Sequence, residues 1–199
     1  MPSIEPMNFK QLTQASRSRR RFDEDAPVSI ETLRDLVDCA RLAPSGKNMQ
    51  PLKFALVADK PMCDRITSLC GWAAALKDWK GPEVGERPRA YIVVLLDSTV
   101  AGSPGCDHGI AAQTVMLGAA AQGLGGCILG NNDQKGIAAA LEIDKRYEVL
   151  LALALGVPAE EVVIEPLPSD GKITYWRTSD GRHHVPKRSL EELVVAERR

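Results

Sequence analysis

The chain has 199 residues, with 25 Lys and Arg against 26 Asp and Glu for a formal net charge of -1, and 44% of it is hydrophobic. That length is ample for a substantial core, which excludes a disordered tail or a disulfide-stapled miniprotein. The near-neutral balance argues against a surface built for nucleic acid or acidic lipid.

One local anomaly sits inside that balance: from Arg17 to Arg21 four of five residues are arginine, and Asp23, Glu24 and Asp25 follow. No apolar run approaches the roughly 20 residues of a membrane helix, and Met1 to Lys10 lacks a basic-then-apolar layout, so a cytoplasmic protein with no membrane partner is expected. Cys39, Cys63, Cys70, Cys106 and Cys127 include no Cys-x-x-Cys pair, which predicts free, mostly buried thiols instead of disulfides or a zinc site. Without repeats or a long linker, residues 1–199 are expected to form a single domain.

A first helix is predicted from about Asn8, with Phe9 and Leu12 on one face, running into the arginines. A second starts at Ser29, its N-cap, with Val28 and Leu33 as a hydrophobic staple and Leu33, Leu36, Val37 and Ala40 at helical spacing. Pro44 stops it and opens an exposed, proline-bounded polar loop to Pro51. Phe54 to Ala58 reads as a strand and Pro61 to about Cys70 as a helix. Residues 72–89 read as a mobile loop with some helix.

Tyr91 to Leu96 is a continuous apolar run and so a strand buried on both faces. Asp107 is placed as the cap of a long helix to about Gln122, whose alanines permit close packing, and Gly123-Leu124-Gly125-Gly126 ends it. Cys127 to Leu129 is a short strand, Asp133 caps a further helix, and Tyr147 to Leu155 is another strand. Two Asp-Gly pairs around Ile173 to Trp176 suggest a hairpin-like insertion at about 160–186. Ser189-Leu190-Glu191-Glu192 is a capping box for a last helix over 189–197. Helices interleave with strands without clean βαβ repetition, which predicts an α+β fold with a central mixed or antiparallel sheet flanked by helices.

Arginine guanidinium groups match phosphate oxygens bidentately, and several converging on one point suit a phosphate monoester. Basic residues late in a helix also favourably oppose its dipole, so both readings of the cluster stand. Ser45, Asn48 and Gln50 offer donors and acceptors suited to the edge of a flat heterocycle, although an ordinary polar loop has the same composition. The glycines at 123–126 follow a helix and precede a strand, the reverse of a dinucleotide fingerprint, and no phosphate-binding P-loop motif is present. The amides at Leu129, Gly130 and Asn131 leave a strand into a glycine turn that a ligand could approach. His108, His183 and His184 lack metal-ligand spacing, and His183 and His184 are expected in a solvated turn. Cys70 reads as a packed core cysteine.

Taken in order, these pieces resemble the FMN-dependent nitroreductase family. Ser16-Arg17-Ser18-Arg19-Arg20-Arg21-Phe22 is similar to its N-terminal Arg-Arg-Ser-x-Arg-x-Phe motif, and Ala40 to Pro51 to its Ala-Arg-x-Ala-Pro-Ser-x-x-Asn-x-Gln-Pro. Gly123 to Gly130 resembles Gly-Leu-Gly-x-Cys-x-x-Gly, and Leu153 to Pro158 with Pro186-Lys187-Arg188 completes a match covering nearly the whole chain. Ser16 stands where an arginine is usual, with Arg17 or Arg19 available to compensate, and Leu52 replaces a frequent tryptophan.

The resemblance implies a nitroreductase-like fold and a homodimer, with the long central helix at the interface and FMN held there by both chains. Arg17, Ser18 and Arg20 would bind the FMN phosphate and pyrimidine edge, with Lys187 or Arg188 adding charge. Pro44, Ser45, Asn48 and Gln50 would reach the flavin from the other subunit, and Leu129, Gly130 and Asn131 would present amides near flavin N5. The implied activity is NAD(P)H oxidation with hydride transfer through N5, in ping-pong order, to nitroaromatic or quinone-like acceptors; no metal or side-chain nucleophile is required, NADH or NADPH being the donor. A specialised flavoenzyme such as a reductive dehalogenase, and a flavin-binding redox sensor or carrier without turnover, are the alternatives. Trp72, Lys77, Trp79 and the insertion around Tyr175 and Trp176 are candidates for the substrate side, and exposed interface packing explains them equally well.

Overall fold

The computed structural model describes residues 8–199. Helix α1 (Phe9–Ala15) starts from a reciprocal cap, in which the Asn8 side chain accepts the Gln11 N–H and the Gln11 side chain accepts the Asn8 N–H. It ends at Ala15, before the arginines. The expectation that they crown its last turn is therefore corrected: Ser18 forms a parallel bridge with Gly126, and the Arg19 N–H donates to the Gly126 carbonyl at 2.9 Å.

The main sheet is antiparallel throughout and centres on β5 (Tyr147–Pro158), which pairs with β1 (Phe22–Asp23), β3 (Ala90–Asp97) and β4 (Gly125–Leu129), while β3 also pairs with β2 (Leu52–Val57). Helices α2 (Ile30–Arg41) and α4 (Asp107–Ala121) supply one of the two hydrophobic clusters, and α3 (Lys60–Ser68) and α5 (Gln134–Ala140) the other. Strand β3 alternates between them: Tyr91, Val93 and Leu95 pack with Cys63, Ile66 and Ile137, whereas Ile92 and Val94 pack with Leu33, Leu36 and Val115. A strand covered on both faces has no polar side to show, which accounts for its unbroken apolar run.

The helix starts follow from short polar side chains. Ser29, Asp59 and Asp133 each accept an N–H two or three residues into the helix they precede. Asp107 departs from its expected capping role: Cys106 is the N-cap of α4, without a side-chain bond, and the Asp107 carboxylate points elsewhere.

Residues 72–89 contain turns and no helix. Trp72 is buried, its indole N–H on the Thr67 carbonyl at 3.1 Å. The buried Glu24 carboxylate accepts the N–H groups of Gly85 at 2.5 Å and Arg87 at 3.2 Å and pairs with Lys60.

The expected insertion is a second, three-stranded sheet. Strand β8 (His183–Lys187) lies parallel to β6 (Val162–Pro166) and antiparallel to β7 (Trp176–Arg177), and the turn at Asp180-Gly181 joins β7 to β8. His183 is a fully buried strand residue, so the solvated-turn expectation is wrong. The last helix, α6 (Leu190–Leu193), is far shorter than 189–197. Ser189 caps it, while the Glu192 carboxylate pairs with Arg188.

All five cysteines are free, but only Cys63 and Cys127 are buried, with Cys70 partly so and Cys39 and Cys106 exposed. Burial pushes the Cys63 and Cys70 thiols up to about 12, in keeping with packing rather than reactivity.

Gly126 marks a tight crossing against the backbone of β5. A Cβ there would lie 2.6 Å from the Ala154 carbonyl oxygen and 2.9 Å from Met116 Sδ, and a backbone oxygen inside a sheet cannot move aside. Gly126→Ala is expected to lower stability by about 1–3 kcal/mol, whereas Gly102→Ala, where a Cβ meets nothing within 4 Å, should be close to neutral. Urea unfolding midpoints of the two variants check this.

Candidate functional site

A cavity of about 240 Å³ lies between the arginine segment, the outer face of β4, the middle of α4 and the second sheet. Ser16, Arg17, Ser18 and Arg20 line one side, Gly126 and Ile128 the floor, Gln113 and Met116 the helical wall, and Tyr175, His183, Val185 and Lys187 the opposite side. The spacing of His183, Val185 and Lys187 is that of one face of a strand, a signal the sequence carried.

The arginine knot divides. Arg19 donates to the Glu160 carbonyl and Arg21 pairs with Glu86 at 3.2 Å, so both hold the fold together. Arg17 uses only its Nε, on the Ser16 carbonyl at 2.7 Å. Burial first, then Arg19, lowers the Arg17 pKa, yet an arginine stays protonated.

The Arg20 backbone N–H donates to the buried Glu160 carboxylate, which also accepts the Arg21 N–H at 3.2 Å and Arg177 at 2.9 Å. The Arg20 guanidinium stands over the Tyr175 ring, 5.1 Å from its centroid, and its Nη1 is 3.3 Å from His183 Nε2. Burial, reinforced by Arg20 and Arg177 and opposed by Glu160, pushes the His183 pKa down to about 4, so the ring is neutral. Arginine only donates, hence Nε2 accepts and the ring proton sits on Nδ1. Among the described residues, Arg20 Nε and His183 Nδ1 have no partner.

Lys187 reaches this cavity and Arg188 does not: Arg188 pairs with Glu192 and lines a different hollow beside Pro166 and Leu167. Among the described residues, Arg17, Arg20 and Lys187 form no ion pair, and no carboxylate lines the cavity.

The loop from Pro44 to Pro51 lies apart from the arginines. Pro44, Ser45 and Gln50 line a second cavity of about 360 Å³ with α2, β2 and Asp107. The Ser45 hydroxyl donates to Asp107 Oδ2 at 2.6 Å and accepts the Gln50 N–H at 2.9 Å, and the Gly46 N–H donates to Oδ1 at 3.0 Å. Ser45 is thus bound into the loop's own structure.

Lys47, Asn48 and Gln50 have φ of 53°, 56° and 52°, left-handed conformations in non-glycine residues that these bonds help to sustain. Gln50 Nε2 donates to the Asn48 carbonyl and Oδ1, both at 3.2 Å. That leaves the exposed Asn48 amide N–H groups and Gln50 Oε1 available to a ligand.

Leu129 is buried in the α3/α5 cluster, and Gly130 and Asn131 are exposed beyond β4, past the cavity floor at Ile128. The Asn131 carbonyl accepts the Gly71 N–H at 2.7 Å, which joins this turn to the start of the 72–89 segment. Sequence reasoning passed over Glu160 and gave Asp107 and His183 other roles. Each acts through a partner distant in sequence, a relation that spacing along the chain does not encode.

A model of the Nitroreductase family matches residues 14–104 and 103–157. The 5,6-dimethylbenzimidazole synthase of Rhodospirillum rubrum is 31% identical over 186 residues, 79% of this chain and 83% of that protein. An FMN-dependent nitroreductase structure from Clostridium difficile R20291 superposes with a TM-score of 0.60 at 25% identity, covering 73% of this chain and 84% of that one. The NADPH:FMN oxidoreductase of Vibrio harveyi, solved with NAD+, shares the fold at a TM-score of 0.62 and 22% identity, covering 81% and 74% of the two chains.

The hydrogen bonds from Ser45, then Gly46, hold the Asp107 carboxyl below the usual range against the opposing effect of burial. A depressed native pKa stabilises above the unfolded value, and the contribution is lost as pH falls from about 4 through the native value. Asp107→Asn is expected to lower stability at pH 7 by about 1–2 kcal/mol and to flatten this acid-side decline. Urea midpoints at pH 7 and pH 3 measure both effects.

Proposed function

The chain belongs to the nitroreductase family, and from that premise we propose that it is an FMN-dependent NAD(P)H oxidoreductase, a homodimer acting on nitroaromatic or quinone-like acceptors. The observation that carries this reading is the carboxylate-free cavity where Arg17, Arg20 and Lys187 converge. Arg17 and Lys187, without ion-pair partners among the described residues, suit a phosphate monoester of nearly two negative charges, and the partnerless Arg20 Nε is a donor left for a ligand acceptor.

Arg17, Ser18 and Lys187 would hold the FMN phosphate and Arg20 the pyrimidine edge, where its charge stabilises the anionic reduced ring. FMN, when bound, supplies N5 as the hydride carrier, which donor and acceptor use in turn. Asn48 and Gln50, with Pro44 and Ser45 as their support, would come from the second copy, and the amides of Leu129, Gly130 and Asn131 would face the ring's reactive side.

Helix α4 supports the dimer. It is apolar around nearly its whole circumference, with Ile110 39% exposed, and such a helix calls for cover on its outer side. A second reading, a specialised flavoenzyme of this fold, draws support from the 31% identical relative, whose name is that of a synthase.

The purified protein is expected to show flavin absorption that NADH or NADPH bleaches without oxygen and that a nitroaromatic or quinone restores. A chain that takes up no FMN, or a bound flavin that neither nucleotide bleaches, would contradict the reading. Bleaching that no such acceptor reverses would favour the specialised enzyme.

A further inference from the structure

We propose that the second sheet tunes the flavin, with His183 and Tyr175 acting as positioning residues that fix the Arg20 guanidinium against the cofactor's anionic edge. The inference rests on the flavin reading above and adds a role for two residues that need not touch the cofactor. Arg20 sits on a segment without helical or strand structure of its own, and a long side chain there loses rotamer entropy on being held in one place.

His183 on β8 and Tyr175, the residue just before β7, hold it from two directions. The Tyr175 ring lies under the guanidinium at 5.1 Å, and His183 Nε2 takes Nη1 at 3.3 Å. The two rings also brace each other, with centroids 5.1 Å apart. His183 can do this only as an acceptor, and its full burial beside Arg20 and Arg177 keeps it neutral. The Tyr175 hydroxyl in turn accepts the Ala75 N–H at 3.4 Å, so the platform is braced against the 72–89 segment. A neutral acceptor at the edge and a ring at the face leave the cation undiminished and its Nε unpartnered. The charge is therefore presented to the cavity and not consumed by a carboxylate.

The test uses the full-length FMN-loaded protein and its variants His183→Gln, His183→Ala and Tyr175→Leu, with FMN affinity and midpoint potential as readouts. Glutamine places an acceptor oxygen near the position of Nε2 and alanine does not. His183→Ala should weaken FMN binding about tenfold and lose about tenfold of the preference for reduced over oxidised FMN, a potential about 30 mV lower for a two-electron couple. His183→Gln should stay within about twofold of wild type on both counts, and Tyr175→Leu should move the potential in the same direction as alanine.

Equal shifts in the glutamine and alanine variants would overturn the inference, since packing alone would then explain them. So would an unchanged potential in His183→Ala and Tyr175→Leu while wild type binds and reduces FMN. If His183→Ala does not fold, Tyr175→Leu decides on the same criterion. Wild type that takes up no FMN would instead defeat the flavin reading itself.

Discussion

A single buried carboxylate, Glu160, organises the region on which the site depends. It gathers the backbone N–H groups of Arg20 and Arg21 and the Arg177 side chain, and so joins the arginine segment to the second sheet. Arg177 then lies 4.2 Å over the Trp79 ring and extends the same network into the 72–89 segment. A buried charge pair of this kind contributes little net stability against an apolar alternative, but losing one partner strands the other at a cost of about 3–5 kcal/mol. Its effect is to specify geometry: with Glu160 saturated by backbone, Arg177 and the carbonyl contact of Arg19, the charges of Arg17 and Arg20 are left facing the cavity.

Helix α4 separates the arginine cavity of one chain from its own 44–51 loop. Its first residue, Asp107, anchors the Ser45 loop, while Gln113 and Met116, six and nine residues later, form a wall of the arginine cavity. At 1.5 Å per residue those positions lie about 9 and 13.5 Å along the axis from Asp107, so the loop and the arginines of one chain are held apart by a rigid element. In the homodimer proposed above, a second copy packed against the outer side of α4 would supply a geometric route by which one chain's loop meets the other's arginines.

Much of this was legible in the sequence where the cause was local. Ser29 with the Leu33 and Leu36 spacing fixes α2, and the unbroken run at 91–96 announces a strand buried on both faces. Arg17, Ser18, Arg20 and Lys187, singled out by the motifs, line one cavity. Where sequence reasoning failed, the deciding partner was remote. Asp107 looks like a cap by its place in the chain but is claimed by Ser45, 62 residues earlier. His183 sits between an Asp-Gly turn and a proline, a polar context, yet pairing with β6 and β7 buries it completely. The last helix ends after one turn because its exposed Leu190 and Leu193 find no core to pack against among the described residues.

In the homodimer proposed above, the arginine cavity of one chain is completed by the 44–51 loop of the other. The most direct measurement is FMN stoichiometry in a heterodimer of Arg20→Ala and Asn48→Ala subunits, isolated through two different affinity tags. Both substitutions then fall in one site and the other is intact, so the heterodimer is predicted to bind about half the wild-type complement of FMN, while each variant homodimer binds far less. A heterodimer that binds no more FMN than its parents would contradict the account.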